Sequence, residues 1–230
     1  MQKIPEEVAQ ALAEGDFYLA LRIGPTDYSG GDFEDADNFV HHLDGKIVLL
    51  DTSGDLLAEI GEFGVYLVDT DGMLQQDVSI YQAYDTSQET FDYFEDLVDL
   101  ETQWDFKIEV LEALDCVGDV LPSGLLIVNE LWIEAPYRGK DFGLLALKCI
   151  IQRFRMGVGI VAMRPLPLQF AEGLKPEYRE EFSVYKGSPR ACLMKVRAHF
   201  GRLGFKLVPG TEVMALQTLA KMNNLELRNW

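Results

Sequence analysis

The residues with the clearest chemical use lie between Glu130 and Gly143, in the stretch ELWIEAPYRGKDFG. Glu130 and Glu134 are carboxylates, able to take up a proton. Arg138 and Lys140 put two positive charges in a turn that also carries Pro136, Gly139 and Gly143. Such a turn works only if its flanks hold it. Leu125 to Glu134 reads as a strand, and Phe142 to Arg155 has the spacing of an amphipathic helix. A glycine-bearing turn that feeds a helix N-terminus aims backbone N–H groups and the positive end of the helix dipole at one point. That combination makes an anion site.

The elements around this stretch follow from the same patterns. Helix 142–155 turns Leu144, Leu145, Leu147, Cys149, Ile150, Ile151 and Phe154 to a core, and Gly157 ends it. Val158 to Met163 then reads as a buried parallel strand, joined to the first by a right-handed crossover. Arg164-Pro165-Leu166-Pro167-Leu168 must leave the sheet, because proline donates nothing to a ladder. Upstream, Ile4 to Glu14 is a short helix begun after Pro5, Phe17 to Ile23 a strand, and Thr26 to Asp37 an acidic loop. Lys46 to Asp51 and Leu56 to Val68 form a hairpin about Thr52-Ser53-Gly54-Asp55, and Asp69-Thr70-Asp71-Gly72 reads as a turn. From about Ser79, Phe91, Phe94, Leu97 and Val98 recur at helical spacing with Asp92, Glu95, Asp96 and Asp99 opposite them. Phe106 to Leu114 fits a strand or a helix. Beyond a polar insertion at 171–189, a helix at 190–203 and strands Phe205 to Val208 and Glu212 to Thr218 complete the chain.

Composition excludes several classes of function. The chain has 230 residues, 48% of them hydrophobic, enough for a real core. It has no apolar run of membrane-spanning length. The opening MQKIPEEVAQALAEGD lacks the basic start and apolar stretch of a signal peptide, so a cytoplasmic protein with no membrane partner is expected. Cys116, Cys149 and Cys192 have no C-x-x-C spacing and the histidines no H-x-x-x-H, so neither a disulfide framework nor a metal is expected. A formal charge of −18 argues against nucleic acid. Its distribution says more. Residues 1–120 carry 4 Lys and Arg against 29 Asp and Glu, a net of −25, while residues 121–230 carry 16 against 9, a net of +7. The basic half suits an anionic cofactor and the acidic half a cationic substrate or partner, with a plainly solvated acidic surface as the alternative.

Arg138-Gly139-Lys140-Asp141-Phe142-Gly143 resembles the pyrophosphate loop of the GNAT N-acetyltransferase superfamily, Q/R-x-x-G-x-G/A, which lies between that fold's fourth strand and third helix. Arg138 and Gly143 match its ends, and Asp141 stands where the middle glycine belongs. Ala198 to Phe205 is similar to the family's helix that ends in aromatic-x-x-L-G-F before a strand. The two segments keep the family's order and separation, and the resemblance covers about residues 75–220. It implies an α/β fold with a GNAT-type mixed, mostly antiparallel sheet flanked by helices. Residues 76–230 would form the acyl-CoA-binding domain, and residues 1–75 an acidic, β-rich extension or subdomain.

The implied activity is acyl-CoA-dependent N-acyl transfer, from acetyl-CoA or another acyl-CoA to a cationic amine, either a small molecule or a protein amino group. The fourth and fifth strands would splay, with Leu131, Trp132 and Ile133 offering main-chain groups to the pantetheine arm. An N–H of Trp132 or Ile133 would meet the thioester carbonyl. Arg138, Gly139, Lys140, Asp141, Phe142, Gly143 and Leu144 would hold the phosphates.

Proton removal falls to Glu130, in mid-strand near the splay, with Glu134 at the strand end as the second candidate. Strand alternation sets Asn129 on the face opposite Glu130, where it could bond a substrate. Read without chemistry, Glu130 is a solvated strand residue or an arginine's partner. Where the family often has a tyrosine acid this chain has Phe200, with no proton to give, and Tyr185 in the preceding insertion is the substitute on offer, which nothing in the sequence places. That departure sustains the alternative of a catalytically inactive GNAT-fold binding or regulatory protein; an acidic interaction protein is a third reading. Asp141 raises a separate question, since a carboxylate about 5 Å from a phosphate costs roughly 1 kcal/mol in water. Aspartate also caps helices well and tolerates unusual backbone angles, so its side chain is expected to bond the helix and turn away from the cofactor. His41-His42 reads as surface. Arg190, Lys195, Arg197 and Arg202 read as contacts for the cofactor's adenosine phosphate or as a solvated basic face.

Overall fold

The computed structural model describes residues 4–24, 36–85, 87–102, 105–167, 187–219 and 222. Helix α1 (Glu6–Glu14) starts after Pro5 and ends at Gly15, whose φ of 76° closes the helix in the left-handed region. Strands β1 (Tyr18–Ile23), β2 (Val40–Leu50) and β3 (Leu56–Val68) follow as an antiparallel meander. The Asp51 carboxylate accepts bonds from the N–H groups of Ser53 and Asp55 at 2.9 and 2.8 Å, which fixes the β2–β3 turn. Helices α2 (Thr70–Gln76), α3 (Ile80–Tyr84), α4 (Gln88–Leu97) and α5 (Ile108–Ala113) lead to β4 (Gly124–Ile133). Helix α6 (Phe142–Phe154), β5 (Val158–Met163), α7 (Pro189–Gly201), β6 (Lys206–Leu207) and β7 (Met214–Gln217) complete the order.

Among the described residues seven strands form one sheet, in the order β1-β2-β3-β4-β5-β7-β6. Only the β4–β5 pair is parallel. This is the mixed, mostly antiparallel α/β sheet flanked by helices that the resemblance implied. The sheet crosses residue 75 without a break, because β3 pairs with β4 from Gly61↔Ile133 to Val68↔Leu125.

The sheet buries both faces. One face carries Ile47, Leu126, Val128 and Ile133 against Val8 and Leu12 of α1 and Leu144, Leu147, Ile150 and Ile151 of α6. The other carries Leu125, Ile127, Ile160 and Ala162 against Met73, Ile80, Tyr84, Phe94, Leu97 and Val110 of α2 to α5. Helices α1 and α6 therefore cover one side and the acidic helices the other, a layered arrangement that leaves charge on the outside.

Several local expectations change. Asp69-Thr70-Asp71-Gly72 is a helix start: the Asp69 carboxylate accepts the Gly72 N–H at 2.9 Å and caps α2. Residues 106–114 are helical from Ile108 to Ala113. Strand β2 begins at Val40, so His41 and His42 lie within the sheet. Leu145 and Cys149, assigned to the core, instead line a cleft of about 460 Å³ with Leu12, Phe17 and Leu19. The acidic loop at 26–37 falls largely outside the described residues, and Tyr185 and most of the 171–189 insertion lie there entirely.

Candidate functional site

Strand β5 ends before β4 does. Their parallel pairing runs from Gly124↔Val158 to Ile127↔Ala162 and stops, although β4 continues to Ile133. On its other edge β4 stays paired with β3 to Gly61↔Ile133, with a register slip between Gly64 and Val65: Gly64 faces Glu130 and Val65 faces Val128. The slip leaves Asn129 as the extra residue of a β-bulge. Leu126 and Val128 pack in the same core as Leu131 and Ile133, a three-residue step that breaks alternation. Asn129 and Glu130 consequently share the face of α2 to α5, which corrects the expectation that they oppose each other.

Main-chain direction sorts the next residues. The Glu134 N–H bonds the Ile60 carbonyl at 2.8 Å, and a Cβ at Gly61 would lie 2.1 Å from the Trp132 oxygen. The main chain of Trp132 thus faces β3, while that of Leu131 and Ile133 faces the gap. Trp132 therefore cannot offer main-chain groups there, as the resemblance had assigned.

The turn after β4 is built from aromatic packing. Phe142 is 1% exposed and meets Phe17 and Tyr137 edge-on at 6.0 and 6.2 Å. With Phe142 and Leu144 both in the core, only their backbones face outward at the start of α6. Gly139 has φ 77° and an open Cβ position, and a Cβ on Gly143 would meet Ile133 at an ordinary 3.7 Å. Asp141 adopts φ 64° and ψ 10°, the left-handed conformation that a glycine would take most easily. It holds the N-cap position but does not cap: its side chain makes no bond to the helix. Instead Arg202 grips it, Nη1 and Nη2 donating to Oδ1 and Oδ2 at 2.6 and 2.8 Å. Asp141 is 4% exposed and the Arg202 side chain 33%, so this is a part-buried, two-pronged pair. The same hydrogen bond raises the Arg202 pKa. Arg202 is thereby committed to the turn rather than to a solvated basic face.

The Arg138 charge goes elsewhere. Arg138 folds back over β4, with Nε donating to the Ile133 carbonyl at 2.5 Å and the guanidinium 4.6 Å from the Trp132 ring centroid. Burial lowers the Lys140 pKa. Glu134 is half-buried at the start of a 3₁₀ turn over Ala135–Tyr137 and, after burial itself, is the second cause that raises the Tyr137 pKa.

Glu130 has a different setting. Asp44, Gly64 and Glu130 stand in one row across β2, β3 and β4. A Cβ on Gly64 would sit 2.9 Å from Asp44 Oδ1, 3.6 Å from Glu130 Cβ and 3.8 Å from His42 Nε2. The missing side chain leaves a notch between two carboxylates, with His42 at its edge. His42 Nε2 lies 3.5 Å from Asp44 Oδ1, and its ring stacks on Tyr66 at 4.6 Å between centroids. The Tyr66 pKa is raised, by burial first and then by Glu89, with Asp44 adding less. His42 is at the surface, as the sequence suggested, its side chain 47% exposed; its place beside Asp44 and Tyr66 comes from strand pairing. Phe200 packs half-buried against the α6 core.

No family model matches the chain, and no curated protein matches it. Among solved structures, the loading GNATL domain of CurA from Lyngbya majuscula shows some likeness. It is 11% identical, covers 87% of this chain and 98% of that one, and superposes with a TM-score of 0.30. A score that low adds nothing to the strand order and register described above.

Proposed function

We propose that the chain is a GNAT-type N-acyltransferase that moves an acyl group, acetyl first among them, from coenzyme A to a primary amine. The observation that carries this reading is that β5 ends at Met163 while β4 runs on to Ile133, so that among the described residues no strand pairs with the β5 side of Leu131 to Ile133 before the turn that feeds α6. The residues fit an acyl-CoA. Beyond the end of β5 the main chain of Leu131 and the N–H of Ile133 point away from β3, the turn brings up the α6 N-terminus, and Gly143 leaves room beside it. Bound there, the cofactor supplies an activated thioester.

The protein's own part is modest. Glu130, directly or through a water, takes the proton from the amine's ammonium form. Gap-facing N–H groups, Leu131 and Ile133, polarise the carbonyl. The notch over Gly64 offers a cation the carboxylates of Asp44 and Glu130 and the stacked rings of His42 and Tyr66, in line with the acidic first half of the chain. The test is titration of acetyl-CoA into the protein and into Gly143→Trp, whose side chain starts at an ordinary contact and fills the space before α6. Micromolar binding that the variant loses supports the reading, and so does transfer to a primary amine. Absence of binding at millimolar acetyl-CoA overturns it.

Phe200 favours a second reading, a GNAT-fold binding or regulatory protein, since the leaving thiolate has no tyrosine there to protonate it. Under that reading acetyl-CoA binds as before and no amine is acylated.

A further inference from the structure

We propose that Arg202 is a positioning residue of the anion site: it cancels the charge that Asp141 brings to the α6 N-terminus and turns that carboxylate away from the site. The inference rests on the acyl-CoA reading above. Its observations are geometric. Asp141 occupies the left-handed position of the turn at φ 64°, is 4% exposed, and makes no bond to the helix it precedes. Left to itself, a buried carboxylate at that point would oppose any anion drawn by the helix dipole and by Lys140. Both its oxygens are instead taken by the guanidinium of Arg202, at 2.6 and 2.8 Å.

The origin of Arg202 gives the pair its meaning. It is the C-cap residue of α7, and its own N–H bonds the carbonyls of His199 and Phe200, so its backbone is held. The two stretches that carried the family resemblance, the turn at 138–143 and the helix end at 198–205, thus meet through the one turn residue that departs from the pattern. A glycine needs no counter-charge; an aspartate does. Substitution and compensation sit in one bidentate pair, whose planar fork a lysine cannot reproduce. Asp141 therefore marks a rebuilt turn and not a lost one.

The charge that the pair leaves at the turn orders four proteins. The native pair leaves zero, Arg202→Met leaves −1, Asp141→Gly leaves +1, and the double variant Asp141→Gly/Arg202→Met returns to zero. Acetyl-CoA titrated into each should bind weakest to Arg202→Met, by roughly tenfold or more. It should bind about equally to the native protein and the double variant, and tightest to Asp141→Gly. Added salt should shrink the spread. A purely structural role predicts no gain for Asp141→Gly over the native protein. If Arg202→Met does not fold, tighter binding by Asp141→Gly than by the double variant supports the proposal, and equal binding overturns it. Native-like affinity in a folded Arg202→Met also overturns it, with the acyl-CoA reading intact. If the native protein binds no acetyl-CoA, both fall together.

Discussion

Asp141 and Asp44 are both carboxylates beside the open end of β4, yet they live in opposite conditions. Asp141 is 4% exposed and held by two charged bonds from Arg202. The Asp44 side chain is 68% exposed, with His42 Nε2 3.5 Å away. A buried charge must find its partner inside the fold, because removing that partner leaves the full desolvation cost. An exposed one is solvated already, contributes little to stability, and keeps its attraction for a ligand. The anion end of the site is thus tied into the structure, and the acceptor end is open.

The strongest way to break this contrast is to remove one partner on each side. Arg202→Met should destabilise the protein by about 1–3 kcal/mol, read from denaturant unfolding, because the buried Asp141 carboxylate loses two charged hydrogen bonds. Asp44→Asn should change stability by no more than about 0.5 kcal/mol. Similar losses for both would erase the distinction. Next in size is catalytic. Glu130→Gln should slow transfer by about 10²-fold or more while acetyl-CoA binds as before, since the residue lies on the open side. Equal turnover removes Glu130 from the mechanism.

Filling the notch sharpens the comparison further. Gly64→Val pushes first on the mobile end of Asp44, at 2.9 Å, so the fold should survive. The KM for the amine should rise about tenfold, with acetyl-CoA affinity unchanged. An unchanged amine KM would move the acceptor elsewhere.

The smallest effect concerns a third pair, intermediate in burial. Arg164 bonds Asp92 at 2.7 Å and Asp96 at 2.8 Å, and ties α4 to the end of β5. Bonding from Arg164 lowers the Asp92 pKa below its usual 3.8. A depressed folded pKa gives stability that is present above the unfolded value and is lost as the pH falls through the folded one. Asp92→Asn should therefore flatten the fall in stability below about pH 4, while costing up to about 1 kcal/mol near neutral pH. An unchanged acid slope would show the pair to be inert.

Much of this was legible in the chain itself. The long apolar runs at Leu125–Val128 and Val158–Met163 and the helix between them set a parallel pair, and the prolines after Met163 set where β5 stops. Local chemistry of that kind depends on neighbours a few residues away, so spacing reveals it. The bulge at Asn129 was not legible, because it arises from the register of β4 against Gly64 and Val65 on another strand. Nor was the alignment of His42, Asp44 and Glu130, which three paired strands bring together. The turn-like Asp69-Thr70-Asp71-Gly72 misled for a related reason: the same residues cap helices and close turns, and tertiary packing of Met73 in the acidic-side core chose the helix.

Asp141 draws the line most clearly. Its type and place in the turn were determined by the sequence, as were the glycines around it and the positive charges just before it. What only the tertiary structure decided was where its carboxylate goes. Hydrogen bonding within the turn would have kept it at the helix start, but Arg202, sixty-one residues along the chain, arrives with both donors at bonding distance. Burial makes that long-range pair worth more than a local cap, and no spacing rule records it.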